Sequence, residues 1–246
     1  MSKRKIYIGT SGWNYDDWDE DFYSKSNGKE VHLQIYANHF NTVELNSSFY
    51  HLPSPSEIQD WRKKTPKTFL FSCKANRYIT HMKKLSDPKE PINHLLKTLK
   101  HFEQQLGPVL FQLPPYLKLD LERLNKFINN LPNKYHYTFE FRNKSWFCDK
   151  VYELLQKNNI TLCFYDFKGY QSPEIITSDL IYVRLHGPEK EPYQGRYDGR
   201  TLAGYAQKFL NWQEEGKSIF CYFDNTKSCA APYDAKFLLG SLSRQS

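Results

Sequence analysis

No apolar run in the 246-residue sequence is long enough to span a bilayer, so no membrane partner is expected. The start, Met1–Ser2–Lys3–Arg4–Lys5, is basic, but the apolar stretch that follows, Ile6–Tyr7–Ile8–Gly9, is far too short for a secretory h-region. Five cysteines (Cys73, Cys148, Cys163, Cys221 and Cys229) are scattered without CxxC spacing. Odd in number and mostly inside apolar patterns, they read as reduced thiols packed as small hydrophobes, and a cytoplasmic location is expected. There is no Gly/Ser linker, no block of like charge and no low-complexity stretch to divide the chain. A single domain over 1–246 follows. The excess of lysine and arginine gives a formal charge of +7, which favours anionic partners. The lysines are spread along helical patterns, so a solvated basic surface is the simpler account of most of that charge.

Eight short runs rich in β-branched and aromatic residues are present: Ile6–Thr10, Thr42–Asn46, Phe69–Ala75, Val109–Leu113, Tyr135–Arg142, Thr161–Asp166, Leu180–His186 and Ser218–Asn225. Helical patterns separate most of them. Ser54-Pro-Ser-Glu57 is a capping box with proline at the first helical position. Ile92, Leu95, Leu96, Leu99, Phe102 and Leu106 repeat at helical spacing between Pro91 and Gly107. Leu121, Leu124, Phe127 and Ile128 follow Asp120, a plausible N-cap. Alternating strands and helices in this length predict an α/β fold, a (β/α)8 TIM barrel. An irregular connection is expected between the sixth and seventh strands, where residues 167–179 show no helix. An open doubly wound sheet would advertise a glycine-rich phosphate loop after its first strand, and Gly9-Thr-Ser-Gly12 lacks the third glycine. No nucleotide cofactor motif is therefore present.

Successive strand residues point to opposite faces, and this parity carries the functional reading. Val43 and Leu45 leave Glu44 and Asn46 on the other face. Phe71 and Cys73 oppose Lys74, Phe111 and Leu113 oppose Gln112, and Phe139 and Phe141 oppose Glu140 and Arg142. Val183 and Leu185 oppose Arg184 and His186, and Cys221 and Phe223 oppose Asp224. With the apolar sets against the helices, the polar sets point inward near the strand C-terminal ends, where TIM-barrel sites are assembled. Glu44, Lys74, Glu140, His186 and Asp224 are the candidate catalytic residues. Asn46, Gln112, Arg142, Arg184, Tyr182, Trp13 and Asn225 are the candidate ligand contacts. The competing account is an internal ion-pair network that only holds the barrel in register. On the site reading, Arg184→Ala or Glu44→Ala keeps the fold and abolishes ligand binding; unfolding of these variants would favour the network.

Gly9-Thr-Ser-Gly-Trp13, the run Phe40–Tyr50, Ile79-Thr-His81, the run Gly107–Pro115, Glu140-Phe-Arg142 with Ser145-Trp146, and Tyr182-Val-Arg-Leu-His-Gly187 resemble the YecE-like family over essentially the whole chain. The resemblance implies a TIM barrel and no settled activity, since the family is a domain of unknown function. It also carries an analogy to barrel-type AP endonucleases, and with it DNA binding. Members often have paired asparagines after the eighth strand, whereas this chain has Asp224-Asn225.

Three chemistries compete for the mouth. A metal-assisted phosphodiester hydrolase needs histidines and carboxylates converging on an ion. Only His186, His81 and His51 can reach the mouth, the spacing matches no HExxH motif, and Lys74, Arg142 and Arg184 would repel a cation; a divalent metal is not favoured. Metal-free acid/base chemistry would use Arg142 and Arg184 to fork a carboxylate or phosphate, Glu44 or Glu140 as base, and His186 or Lys74 as acid or electrophile. The loop 187–200, with Tyr193, Arg196 and Arg200, is then a candidate lid. A nucleic-acid-binding role would use Trp13, Tyr15, Trp18, Phe49, Tyr50 and Trp146 as stacking platforms; the simpler account packs Trp18 and Trp146 under loops. A small anionic ligand is the favoured partner and nucleic acid the rival.

Overall fold

The computed structural model describes residues 5–23 and 28–245; Met1–Arg4 of the basic start lie outside the described residues. The eight parallel strands are β1 (Ile6–Thr10), β2 (Thr42–Leu45), β3 (Leu70–Lys74), β4 (Leu106–Leu113), β5 (Tyr137–Phe141), β6 (Thr161–Phe167), β8 (Leu180–Leu185) and β9 (Ser218–Phe223), with the short β7 (Tyr170–Gln171) antiparallel to β6. The eight run in the order β1-β9-β8-β6-β5-β4-β3-β2. The ring between β1 and β2 is closed by one bridge, Ser11 to Glu44, with Gly12 N–H donating to the Glu44 carbonyl at 2.8 Å. The expected (β/α)8 barrel is the observed fold.

Helices α1 (His32–His39), α2 (Pro55–Lys63), α3 (Lys89–Leu99), α4 (Leu121–Ile128), α5 (Asp149–Lys157), α6 (Gly199–Glu214) and α7 (Ala230–Gln245) occupy the connections. The capping box is formed: Ser54 N–H donates to Glu57 Oε2 at 2.8 Å and Ser54 Oγ accepts from Glu57 N–H. Ser54→Ala should therefore cost about 1 kcal/mol, read as a shift of the urea midpoint at unchanged m-value. The Ile92–Leu106 pattern is divided differently from expectation. α3 begins before Pro91, which sits in the first turn where its missing N–H is harmless. A 3-10 segment, Lys100–Gln105, ends the helix, and Leu106 and Gly107 already belong to β4. A Cβ on Gly107 would lie 3.0 Å from Ser72 Oγ, so a larger residue here would push β3 and β4 apart by a few tenths of an ångström unless Ser72 turned aside.

The irregular connection after β6 is a hairpin. Lys168 and Gly169 both have positive φ, the backbone of a type I′ turn, and return the chain as β7 (Tyr170–Gln171), antiparallel to β6. No helix follows. Thr177 Oγ1 instead accepts from Leu162 N–H and donates to the Ile160 carbonyl, and Ser172 Oγ accepts from Tyr165 N–H.

Two separate buried clusters reproduce the parity. Val43, Leu45, Phe71, Cys73, Phe111, Leu113, Phe139, Phe141, Val183, Leu185, Cys221 and Phe223 join the helix faces in the outer core. Leu110, Cys163, Tyr165, Leu180, Tyr182, Phe220 and Tyr222 fill the barrel interior. All five cysteines are free thiols. Among the described residues no helix is long and apolar enough to cross a membrane.

Candidate active site

Above the interior aromatic layer lies the charged layer, and Arg184 is its hub. Its Nε donates to Glu44 Oε2 at 3.0 Å and its Nη2 to Glu44 Oε1 at 2.8 Å and Asp224 Oδ2 at 3.0 Å. Nη1 donates to Glu140 Oε2 at 2.9 Å and faces His186 Nε2 at 3.0 Å. Every guanidinium N–H of Arg184 thus has a protein acceptor. Glu44 is equally occupied: Ser11 Oγ donates to Oε1 at 2.6 Å and Tyr182 Oη to Oε2 at 2.7 Å. The barrel closure explains the first of these bonds, since the β1–β2 bridge sets Ser11 beside Glu44. Below, Tyr222 Oη bonds Thr42 Oγ1 at 2.7 Å and Ser72 Oγ at 2.6 Å, so the phenols under the charged layer are also satisfied.

The remaining charged groups face outward with unused valence. Arg142 donates Nε to Glu140 Oε1 and Nη2 to His186 Nε2, the latter at 2.9 Å, while Nη1 has no protein acceptor among the described residues. Its guanidinium is sandwiched between the Tyr165 and Phe167 rings, at 4.6 and 4.1 Å from their centroids. Beyond the paired register of β5 and β6, which ends at Phe139–Leu162, Tyr165 Oη donates to the Phe141 carbonyl at 2.9 Å. Asp224 binds Arg184 through Oδ2, and Oδ1 has no hydrogen-bond partner among the described residues. Burial pushes this carboxyl up to about 6, despite the opposing pull of Arg184 and Lys74. Lys74 makes no hydrogen bond or ion pair among the described residues, and its ammonium lies over the Phe49 ring at 4.7 Å. Burial and then the Arg184 charge bring it down to about 8.

His186 is neutral. Nδ1 lies 2.8 Å from the Asp166 carbonyl oxygen, which can only accept, so the ring proton sits there. Nε2 then accepts from the two arginines, and burial together with both guanidinium charges holds the imidazole well below its ordinary range. Burial alone would raise Glu140, but the charges of Arg142 and then Arg184, with a smaller one from Lys74, outweigh it and keep the carboxylate ionised well below its usual range.

These contacts reassign several expected roles. Arg184 cannot fork an incoming anion, because Glu44, Glu140 and Asp224 already fill it. Glu140, held below its usual range by guanidinium groups, is a poor base, and the Glu44 oxygens are occupied by Arg184, Ser11 and Tyr182. His186 has no proton to give at Nε2; it positions Arg142 and Arg184. Tyr182 is fully buried beneath Glu44 rather than lining the mouth. Trp13 packs edge-on against Trp61 at 5.3 Å in the outer core, and Asn225 donates to the Gly195 carbonyl and to Asp234 Oδ2, bracing the 187–200 loop. Asn46 donates to Ser11 Oγ, and Gln112 stands half-buried in register with Glu140. Trp18 and Trp146 pack under loops, donating to the Thr226 and Leu117 carbonyls. His81 reaches the Phe49 ring at 5.0 Å, while His51 faces a side cavity of about 1210 Å³ with Tyr50, Asn76 and Tyr78. Arg184→Ala and Glu44→Ala are accordingly expected to damage the fold, contrary to the site reading of the sequence.

Ser11, Tyr165, Phe167 and Phe49 were not singled out as site residues by parity, although Cys163, Tyr165 and Phe167 share one face of β6 and that alternation was readable. The 187–200 loop is tied to the barrel: Tyr193 N–H donates to the His186 carbonyl at 2.7 Å, Lys227 N–H donates to the Tyr193 carbonyl, and Arg196 pairs with Asp234. The Tyr193 ring stands 6.0 Å from that of His186, at the edge of the charged layer.

A family model described as "Protein of unknown function DUF72" matches residues 7–246. UPF0759 protein YunF of Bacillus subtilis is 26% identical over 272 residues, covering 95% of this chain and 93% of its own length. UPF0759 protein YecE of Escherichia coli is 29% identical over 143 residues, 58% of this chain and 50% of its own. The crystal structure of a DUF72 family protein from Thermotoga maritima superposes with a TM-score of 0.88 at 28% identity, covering 97% of this chain and 99% of that chain.

Proposed function

The chain belongs to the DUF72 family of proteins of unknown function, and from that premise we propose that its barrel mouth binds a small anionic molecule, with Asp224 as the proton-transfer group. One observation carries this reading: Arg184 is saturated, whereas Arg142 Nη1, Lys74 Nζ and Asp224 Oδ1 have no partner among the described residues. Arg142 and Asp224 are each ion-paired on one side and open on the other, and none of the three open atoms is among the buried side-chain atoms left without a partner, so they stand where an incoming anion can reach them. Arg142 supplies a flat donor edge for a carboxylate or phosphate, and Lys74 adds a second positive charge. Asp224, pushed up to about 6, exchanges its proton near neutral pH, as a general acid or base must. A metal-assisted hydrolase is the weaker reading, since each carboxylate is already bound to a guanidinium.

The test is calorimetric titration with sulfate, whose charge is fixed across the range used. Binding should strengthen as pH falls through about 8, where Lys74 gains its proton, and again through about 6, where Asp224 loses its negative charge. Arg142→Gln should weaken it by roughly 10- to 100-fold, the loss of one charge-assisted contact of about 1.5–3 kcal/mol. Binding that is indifferent to pH and to Arg142→Gln would sink the proposal.

A further inference from the structure

Resting on that anion-binding reading, we propose that Lys74 is a nucleophilic amine that forms an imine with the carbonyl carbon of a small oxo acid or oxo phosphate held by Arg142. Other lysines without a carboxylate partner among the described residues, such as Lys67, Lys100 and Lys118, stand exposed on the surface, whereas Lys74 is at most partly exposed at a strand end inside the ring. Lys74 has no carboxylate within ion-pair distance among the described residues. Its amine emerges from the end of β3 onto the Phe49 ring, beside His81 and facing the charged layer. The acids that could have paired with it, Glu44 and Glu140, are turned to Arg184. An amine in an apolar niche next to other cations is held partly neutral, and only the neutral amine is a nucleophile.

The groups facing Lys74 account for its charge state. Burial and Arg184 lower its proton affinity, while Glu140, Glu44 and Asp224 raise it by less. His81, itself lowered by burial and by Lys74 and Arg77, adds no fixed positive charge near neutral pH. In the reaction the Nζ lone pair attacks the carbonyl carbon and the C=O π pair moves to oxygen. One ammonium proton passes from nitrogen to that oxygen, giving a neutral carbinolamine. The Asp224 carboxylic acid then protonates the hydroxyl, water leaves, and the nitrogen lone pair forms the C=N⁺ bond. The products are an iminium cation, water and an Asp224 carboxylate, so protons and charge balance. No oxidant or metal is required.

The experiment incubates the whole protein with pyruvate and sodium cyanoborohydride and maps the reduced adduct by mass spectrometry, with sulfate titration on the same preparation. The expected result is an adduct concentrated on Lys74, absent in Lys74→Arg and suppressed by sulfate. Its formation should slow by about tenfold or more in Asp224→Asn, the general-acid contribution. Acetone, which lacks the carboxylate, should label Lys74 at least about tenfold more slowly than pyruvate. If sulfate binds but Lys74 stays unlabelled while exposed lysines react, the imine is overturned and the anion site stands. If sulfate does not bind and Lys74 is unlabelled, both fall.

Discussion

Arg184→Ala is expected to lose about 3–5 kcal/mol of unfolding free energy, a fall of roughly 6–20 °C in Tm for a chain of this size. The guanidinium is 1% exposed and serves three carboxylates from three different strands: Glu44 on β2, Glu140 on β5 and Asp224 just beyond β9. Removing it leaves those negative charges buried without a counterion, and their mutual repulsion is then screened by little water. Glu44→Ala should follow the same course by a different route. It strands the Ser11 and Tyr182 hydroxyls and part of the Arg184 fork, and it removes the side chain beside the only bridge that closes β1 onto β2 among the described residues. The double variant should lose less than the sum of the two, because the second substitution removes a group the first has already orphaned. Urea unfolding decides the matter. Variants within about 1 kcal/mol of wild type would mean that water or a bound molecule already shares the charge of Arg184, and the structural hub would be refuted.

The fold and the membership of the charged layer were legible in the sequence because strand periodicity is local. Whether Glu44 or Val43 points inward depends only on parity within four residues. Which donor meets which acceptor depends on how eight strands are staggered around a closed ring, and no single strand encodes that. Arg142 and Arg184 were therefore indistinguishable as sequence features, though one proves saturated and the other open-ended. Tyr165 and Phe167 are illegible for a related reason: aromatic residues on a strand have the pattern of core, and only the closed ring brings the Arg142 guanidinium over both of them. The hairpin after β6 was visible only as a missing helix, since Lys168 gives no warning that its φ is positive.

The layer thus has two parts that respond oppositely to substitution, and the second part gives the sharper test of function. Asp224→Asn should stabilise the protein by about 1–3 kcal/mol at pH 7–8 while abolishing proton transfer at the mouth. The sign follows from linkage. The carboxyl is raised from 3.8 to about 6 on folding, so the folded state binds the proton more tightly than the unfolded chain. Its stabilising contribution is complete at low pH and is lost as pH rises from about 4 to about 6; above that the ionised group is a net cost, even after the attraction of Arg184 is included. Asparagine removes the cost and still offers Arg184 an oxygen acceptor. Lys74→Met should stabilise by a similar amount at pH 7, because an amine lowered from 10.5 to about 8 costs free energy wherever it is charged in the folded state, and the cost disappears only as pH rises from about 8 towards the unfolded value. Methionine preserves the contact with Phe49 without the charge. Thermal melts across pH 4–10 should show wild type and Asp224→Asn converging below about pH 4, and wild type and Lys74→Met converging near the alkaline limit. Two charged residues whose removal strengthens the fold are retained for something other than the fold. If both variants instead prove less stable than wild type at neutral pH, Asp224 and Lys74 belong with Arg184 in the structural network, and the case for chemistry at this mouth is lost.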